Sequence, residues 1–160
     1  MIYVAMDVKI IDYELKYHDS MLSCYMSAKC SMDKNAPREH RSVVIREDLL
    51  DIEKYYFDKG NHFWLAVNDD DCVVGMLGFV RLDDESLRLR RFFIKPGFKR
   101  CGIGSKLFAF VENHAKHKGI TRIYTRFAGW YNDAEKFYTA KGFVYKQHDG
   151  QLIAMMKELG

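Results

Sequence analysis

Proline occurs only twice in the 160 residues, at Pro37 and Pro96, which excludes a linker-rich or extensively disordered chain. Also missing is any run of about 18 apolar residues, the length a membrane span requires. A secretory signal is not expected either. Asp7 and Lys9 interrupt the N-terminal stretch MIYVAMDVKIIDYELK, where a signal would need a continuous apolar core. The four cysteines (Cys24, Cys30, Cys72 and Cys101) form no C-x-x-C motif and are too few for a disulfide scaffold. They read as free thiols of a reducing cytoplasm. Neither sign of charge dominates: 25 Lys+Arg stand against 22 Asp+Glu, a net +3. That balance permits an anionic ligand but supplies no concentrated basic stripe, so nucleic acid is not an expected partner. No repeat period is visible, which excludes solenoids and arrays.

Core material is abundant. Apolar residues make up 48% of the chain, and 11 Phe, 10 Tyr and 2 Trp make it aromatic-rich. One domain spanning residues 1–160 needs no metal or disulfide staple on this composition. Periodicity predicts a strand at Val8–Tyr13, then an amphipathic helix from Asp19 to about Lys29. The polar stretch SMDKNAPREHRS reads as a loop, and Arg46–Lys59 as a second helix with Gly60 as its stop. Strands follow at His62–Val67 and Cys72–Leu82, joined by a tight turn at Asn68–Asp71, and at Leu87–Ile94. A long helix, Cys101–Lys118, presents Ile103, Leu107, Phe108, Phe110, Val111 and Ala115 on its apolar face. A strand at Ile120–Phe127, a short helix at Asp133–Lys141 and a hairpin of Phe143–Gln147 with Leu152–Lys157 complete the order. The class is α/β or α+β with a mixed sheet.

The most informative stretch is Phe92-Phe93-Ile94-Lys95-Pro96-Gly97-Phe98-Lys99-Arg100-Cys101-Gly102-Ile103-Gly104-Ser105. A strand runs into a basic, glycine-rich turn that opens a helix. Backbone N–H groups and the positive end of a helix dipole suit a phosphate there, and Lys99, Arg100 and Lys106 add charge of the right sign. Two familiar phosphate loops fail on spacing. Gly97 and Gly102 match the GxxxxG of a P-loop, but Ile103-Gly104 follow where Lys and Ser/Thr are required. Gly102-x-Gly104 lacks the third glycine of a dinucleotide fingerprint, having Leu107 there instead.

Lys99-x-x-Gly102-x-Gly104 on this strand–loop–helix is followed by Ala134-Glu135-Lys136-Phe137-Tyr138-Thr139-Ala140-Lys141-Gly142-Phe143 on the short helix. The pair resembles the signature of the GNAT N-acetyltransferase superfamily, [Q/R]-x-x-G-x-[G/A] and A-x-x-x-Y-x-x-x-G-F, and the order of elements is similar across essentially the whole chain. The resemblance implies a mostly antiparallel central sheet, splayed in the middle and flanked by about four helices. It also implies acetyl-CoA as cosubstrate, direct attack of an amine on the thioester, and no metal. The loop from Lys99 through Arg100, Cys101, Gly102, Ile103 and Gly104 to Ser105 would hold the pyrophosphate. Phe92, Phe93 and Ile94 would pair with the pantetheine arm. Tyr138 matches the general acid that protonates the leaving thiolate.

Three positions depart from that pattern. Lys99 replaces Gln or Arg, keeping charge but losing planar hydrogen bonding. Tyr131 stands where the family often has Asn, and Asn132, one residue later, either touches the cofactor or caps the helix. Arg88 occupies a strand position where some members carry a Glu base. Deprotonation would then run through water or through Asp83, Asp84, Glu85 or His62. Other features carry two readings each. Arg88 and Arg90, with Arg91 beside them, mark an acceptor cleft for an acidic substrate or an exposed strand face. Trp130-Tyr131 walls the acceptor site or packs. His114-x-x-His117 has the look of a metal pair without a third ligand and reads as a solvated helix face. Cys101 reads as an oxidation-sensitive bystander. The expected function is acetyl transfer to a primary amine of a small molecule or protein. The alternative is a catalytically impaired CoA-binding regulatory module. The C-terminal strand ending near Leu159 offers a route to a homodimer.

Overall fold

Along the strand His62–Asn68 (β2), Phe63, Leu65 and Val67 pack on one face of the sheet and Trp64 and Ala66 on the other. Both faces are apolar, as a sheet covered on both sides requires. The computed structural model describes residues 7–41 and 43–160. Residues 1–6 of the expected non-signal N-terminus, and Ser42 at the end of the polar stretch, therefore lie outside the described residues.

The other strands are β1 (Val8–Asp12), β3 (Val73–Arg81), β4 (Ser86–Ile94), β5 (Arg122–Ala128), β6 (Val144–Asp149) and β7 (Leu152–Glu158). They form one seven-stranded sheet in the order β1-β2-β3-β4-β5-β7-β6. Every neighbouring pair is antiparallel except β4–β5. That parallel ladder joins only Ser86–Arg88 to Arg122–Tyr124, after which the two strands part. Helices α1 (His18–Met32) and α2 (Ile52–Tyr55) cover one face, with Met21, Cys24, Tyr25 and Ile52 in its core. Helices α3 (Ile103–His117) and α4 (Asn132–Ala140) cover the other, around Leu107, Phe108, Val111 and Tyr138. The mixed, mostly antiparallel sheet with four helices is the architecture expected from the sequence.

Four expectations need correction. Arg46–Lys59 is not one helix: α2 holds only Ile52–Tyr55, between 3-10 turns at Glu47–Leu49 and Phe57–Lys59. Asp51 is non-helical, with φ −149° and ψ 86°, and its carboxylate accepts the Lys54 N–H at 3.1 Å, so the helix starts late. The polar stretch is largely ordered as the end of α1 and turns at Asp33–Asn35 and Arg38–His40, and Asp33 and Ala36 are buried. Phe110 sits on the flank of α3 and is 44% exposed. Finally, β7 is enclosed by β5 and β6, so the C-terminal strand has no free edge to offer a second chain.

Candidate active site

The glycine loop leaves β4 through a turn in which the Phe98 N–H donates to the Lys95 carbonyl at 3.0 Å. Gly97 (φ 89°), Arg100 (φ 61°) and Gly102 (φ 81°) are left-handed. Left-handed residues spaced through a turn aim successive N–H groups into one concavity. Gly102 is the N-cap of α3 and offers no side-chain acceptor, so the helix's first N–H groups are open to a ligand. A Cβ at Gly102 would meet nothing within 4 Å. The space above the loop belongs to a cavity of about 370 Å³.

Lys99, Arg100, Gly102, Ile103, Gly104 and Ser105 line that cavity, as do Phe92 and Ile94 of β4 and Ala134 and Phe137 of α4. Phe93 points to the opposite face, where its ring meets Tyr25 edge-on at 5.3 Å. Cys101 turns its thiol toward the Lys99 carbonyl, 3.5 Å away, and is not part of the lining. Asn132 is exposed at the first turn of α4 and lines neither this cavity nor the next.

The strand is bent at this point. Gly78 of β3 pairs with Arg90 but Met76 with Phe93, which inserts one extra residue into β4. Arg91 occupies the bulge at φ 58°. Its guanidinium reaches Asp48 with two bonds, Nη2 to Oδ1 at 2.6 Å and Nε to Oδ2 at 3.0 Å. The Tyr56 hydroxyl donates to the same carboxylate at 2.7 Å. Burial alone would raise the Asp48 carboxyl, but the bonds from Arg91 and Tyr56 outweigh it and hold the group below its ordinary value.

Beyond the bulge a wider cleft of about 680 Å³ opens between the diverging β4 and β5. Arg88, Arg90 and Arg126 line it with Trp130, Tyr131 and Asp149. Met32, Phe92 and Ala134 belong to both cavities and mark their junction. Trp130 and Tyr131 both wall the cleft and pack. Trp130 Nε1 and the Tyr131 hydroxyl donate to Oδ1 of Asp33 at 3.1 and 2.9 Å. Lys29 Nζ lies 3.3 Å from the other carboxylate oxygen and also donates to the Tyr131 hydroxyl. Burial first, then the bond to Asp33, pushes the Tyr131 phenol up. This buried carboxylate ties α1 to the β5–α4 loop across the mouth of the splay.

Tyr138 is 6% exposed and lines neither cavity. Its ring stacks on Phe127 at 5.6 Å and stands edge-on to Phe92 at 6.4 Å, one ring from the junction. Burial pushes the phenol up to about 12, partly countered by the nearby hydroxyl of the buried Thr125.

The four candidate bases lie elsewhere. Asp83, Asp84 and Glu85 form the β3–β4 turn, and His62 bonds to Asp12 at 2.7 Å. None lines either cavity. His114 corrects another expectation, since it is half-buried against His62, Trp64 and Phe79, while His117 is exposed. Among the described residues no three His, Cys, Asp or Glu side chains gather as a metal site would require. Asp33, Lys29, Arg126 and Asp149 were missed by sequence reasoning. The only signal was the Trp130-Tyr131 pair, whose N–H and O–H need a partner when buried.

The fold that carries this site is shared with acetyltransferases of known structure. An acetyltransferase of the GNAT family from Staphylococcus aureus Mu50 is 27% identical. It superposes with a TM-score of 0.82 over 96% of this chain and 100% of that one. The PaiA N-acetyltransferase from Thermoplasma acidophilum, crystallised in complex with coenzyme A, shares the fold at 20% identity. Its TM-score is 0.86, over 96% of this chain and 100% of its own. The Acetyltransferase (GNAT) family model matches residues 26–143. The chain belongs to that family.

Among curated relatives, a probable N-acetyltransferase 14 of Xenopus tropicalis is 34% identical over 48% of this chain and 37% of its own length. Human N-acetyltransferase 8 is 31% identical over 53% and 40%. Human N-acetylaspartate synthetase is 29% identical over 66% and 35%. The chain spans less than half the length of these curated relatives. Among the described residues, no helix is long and apolar enough to cross a membrane.

Proposed function

We propose that residues 1–160 act as a single acetyltransferase domain that moves an acetyl group from acetyl-CoA directly to a primary amine. The observation that carries this reading is the meeting of two cavities at the bulge of β4. One is lined by a helix-opening glycine loop, the other opens toward α1 and the β6–β7 turn. Bound acetyl-CoA supplies an activated thioester to a neutral amine; the C–N bond forms as the C–S bond breaks. The N–H groups from Arg100 to Ser105 hold the pyrophosphate, with Lys99 and Arg100 adding charge. Phe92 and Ile94 flank the pantetheine arm, and the bulge frees β4 backbone groups to bond with it. Cys101 contributes only its backbone N–H within the loop, and Asn132, which lines neither cavity, takes no part in this reading. The Tyr138 O–H donates a hydrogen bond to the departing thiolate, which takes up its proton as coenzyme A leaves, and water removes the proton of the amine.

The relatives named as N-acetyltransferases favour this over the regulatory alternative. The free cysteines suit a reducing, cytoplasmic setting. A homodimer would form along β6, a sheet edge whose residues are all exposed; gel filtration with light scattering tests it.

The deciding experiment is thiol release from acetyl-CoA across amino acids, polyamines, aminoglycosides and peptide N-termini. Tyr138→Phe is expected to lower kcat roughly a hundredfold with acetyl-CoA binding retained. Unchanged turnover would remove Tyr138 from the role, and silence with every amine would remove the transferase reading.

A further inference from the structure

Three guanidiniums line one cleft with no ion pair to any carboxylate among the described residues. Arg88 and Arg90 stand on β4 and Arg126 on the diverging β5, and all three line the cavity of about 680 Å³. The arginine ion pairs among the described residues are Arg91–Asp48 and Arg122–Glu85, which leaves these three with none. Lys29 and His40 line the same cavity, and Asp149 is the one acid among its described lining. Lys29 is already engaged by Asp33 and Tyr131. Burial, then Arg126, then Arg90 push the Arg88 guanidinium below its ordinary value, as expected of like charges held together away from water. Such a cluster is relieved by an anion, and the planar fork of arginine matches a carboxylate with two parallel bonds.

We infer that the acceptor carries a carboxylate close to its amine, as a free amino acid or an acidic peptide N-terminus does, and that Arg88, Arg90 and Arg126 grip that carboxylate. The inference rests on the transferase reading and narrows its acceptor. It also accounts for the missing base. Arg88 stands where some family members carry Glu, and an ammonium held beside three cations releases its proton to water more readily than one in bulk solution. The neutral amine is then present without a carboxylate to abstract the proton.

The test is thiol release with matched acceptors: glutamate, aspartate and phenylalanine, each against its α-amide and its decarboxylated amine, with a dipeptide beginning with glutamate. Phenylalanine is expected to exceed its α-amide and its decarboxylated amine at least tenfold in kcat/KM, through KM, and the glutamate and aspartate amides, which keep a side-chain carboxylate, to exceed phenylalaninamide. Arg126→Gln and Arg88→Gln should each shrink that preference below threefold, and Arg126→Lys should keep part of it. Preference for amides or polyamines, or a preference that survives both substitutions, overturns the inference while leaving the transferase reading intact. Turnover of the dipeptide supports it with a peptide as the carrier, and turnover of the free acids alone supports it with an amino acid. Should no amine release thiol, the transferase reading fails, and calorimetry of glutamate against the coenzyme-A-loaded protein decides. Binding that Arg126→Gln abolishes supports the anion grip; no binding to the unsubstituted protein overturns it.

Discussion

The phenol of Tyr138 has little acidity. Burial lifts it to about 12, while an alkyl thiol lies near 8.5, so complete transfer to a thiolate runs uphill by roughly 5 kcal/mol. Donation of a strong hydrogen bond to the developing negative charge, with the proton following as product leaves, is what this environment favours. The raised value also keeps the group protonated, and hence able to donate, at every pH below about 12. In wild-type protein kcat should show no alkaline loss from this residue between pH 8 and 10.5. A fall with an apparent value near 10 that disappears in Tyr138→Phe would mean the ring sits in a wetter place. Asp33 makes a second argument at this scale. It accepts from Trp130 and Tyr131 while 2% exposed. Asp33→Ala strands both donors, and urea melts should record a loss of about 2–3 kcal/mol. Asp33→Asn, which retains one acceptor oxygen, should lose less.

Among the elements, β4 decides the shape of the site, and its bulge was the least legible part of the sequence. LRLRRFFI reads as a regular alternating strand, because the extra residue has no signal of its own. Arg91 looks like a third unpaired arginine of the cleft; it does line the cleft, yet at φ 58° its guanidinium is taken by Asp48, a partner 43 residues away. The same long-range bonds explain why Arg46–Lys59 does not form one helix. Asp48 and Asp51 fit a helix's acidic first turn by composition, but one is drawn to Arg91 and Tyr56 and the other caps Lys54. The glycine loop and α4 were legible because their geometry is local: a left-handed cap, a helix start, a stop at Gly142. Arg91→Lys keeps the charge and loses the two-pronged bond, so it should cost about 1.5–3 kcal/mol in urea melts. It should also raise KM for acetyl-CoA as the bulge relaxes. Equal KM with lowered stability would confine the pair to a purely structural role.

Across the whole molecule, one sheet separates two cores, and the α3 face is sealed at one end by a nest of rings away from the splay. His114 of α3 lies against His62 (5.6 Å), Trp64 (5.6 Å) and Phe79 (5.2 Å), and His62 holds Asp12 of β1. Helix and three strands therefore meet at two stacked imidazoles. Burial first, then His62, Lys118 and Arg81, push His114 below its ordinary 6.5, with Asp12 pulling weakly the other way. The unfolded chain takes up this proton at a higher pH than the folded one does. Between the two values the unfolded state thus binds more protons, and stability rises with pH. The contribution is complete above about 6.5 and is lost as pH falls from there through the folded value. Melting temperature should accordingly drop more steeply between pH 7.5 and 5 in the unsubstituted protein than in His114→Gln or His114→Phe. Parallel curves in all three would show that the nest holds its helix to the sheet by packing alone.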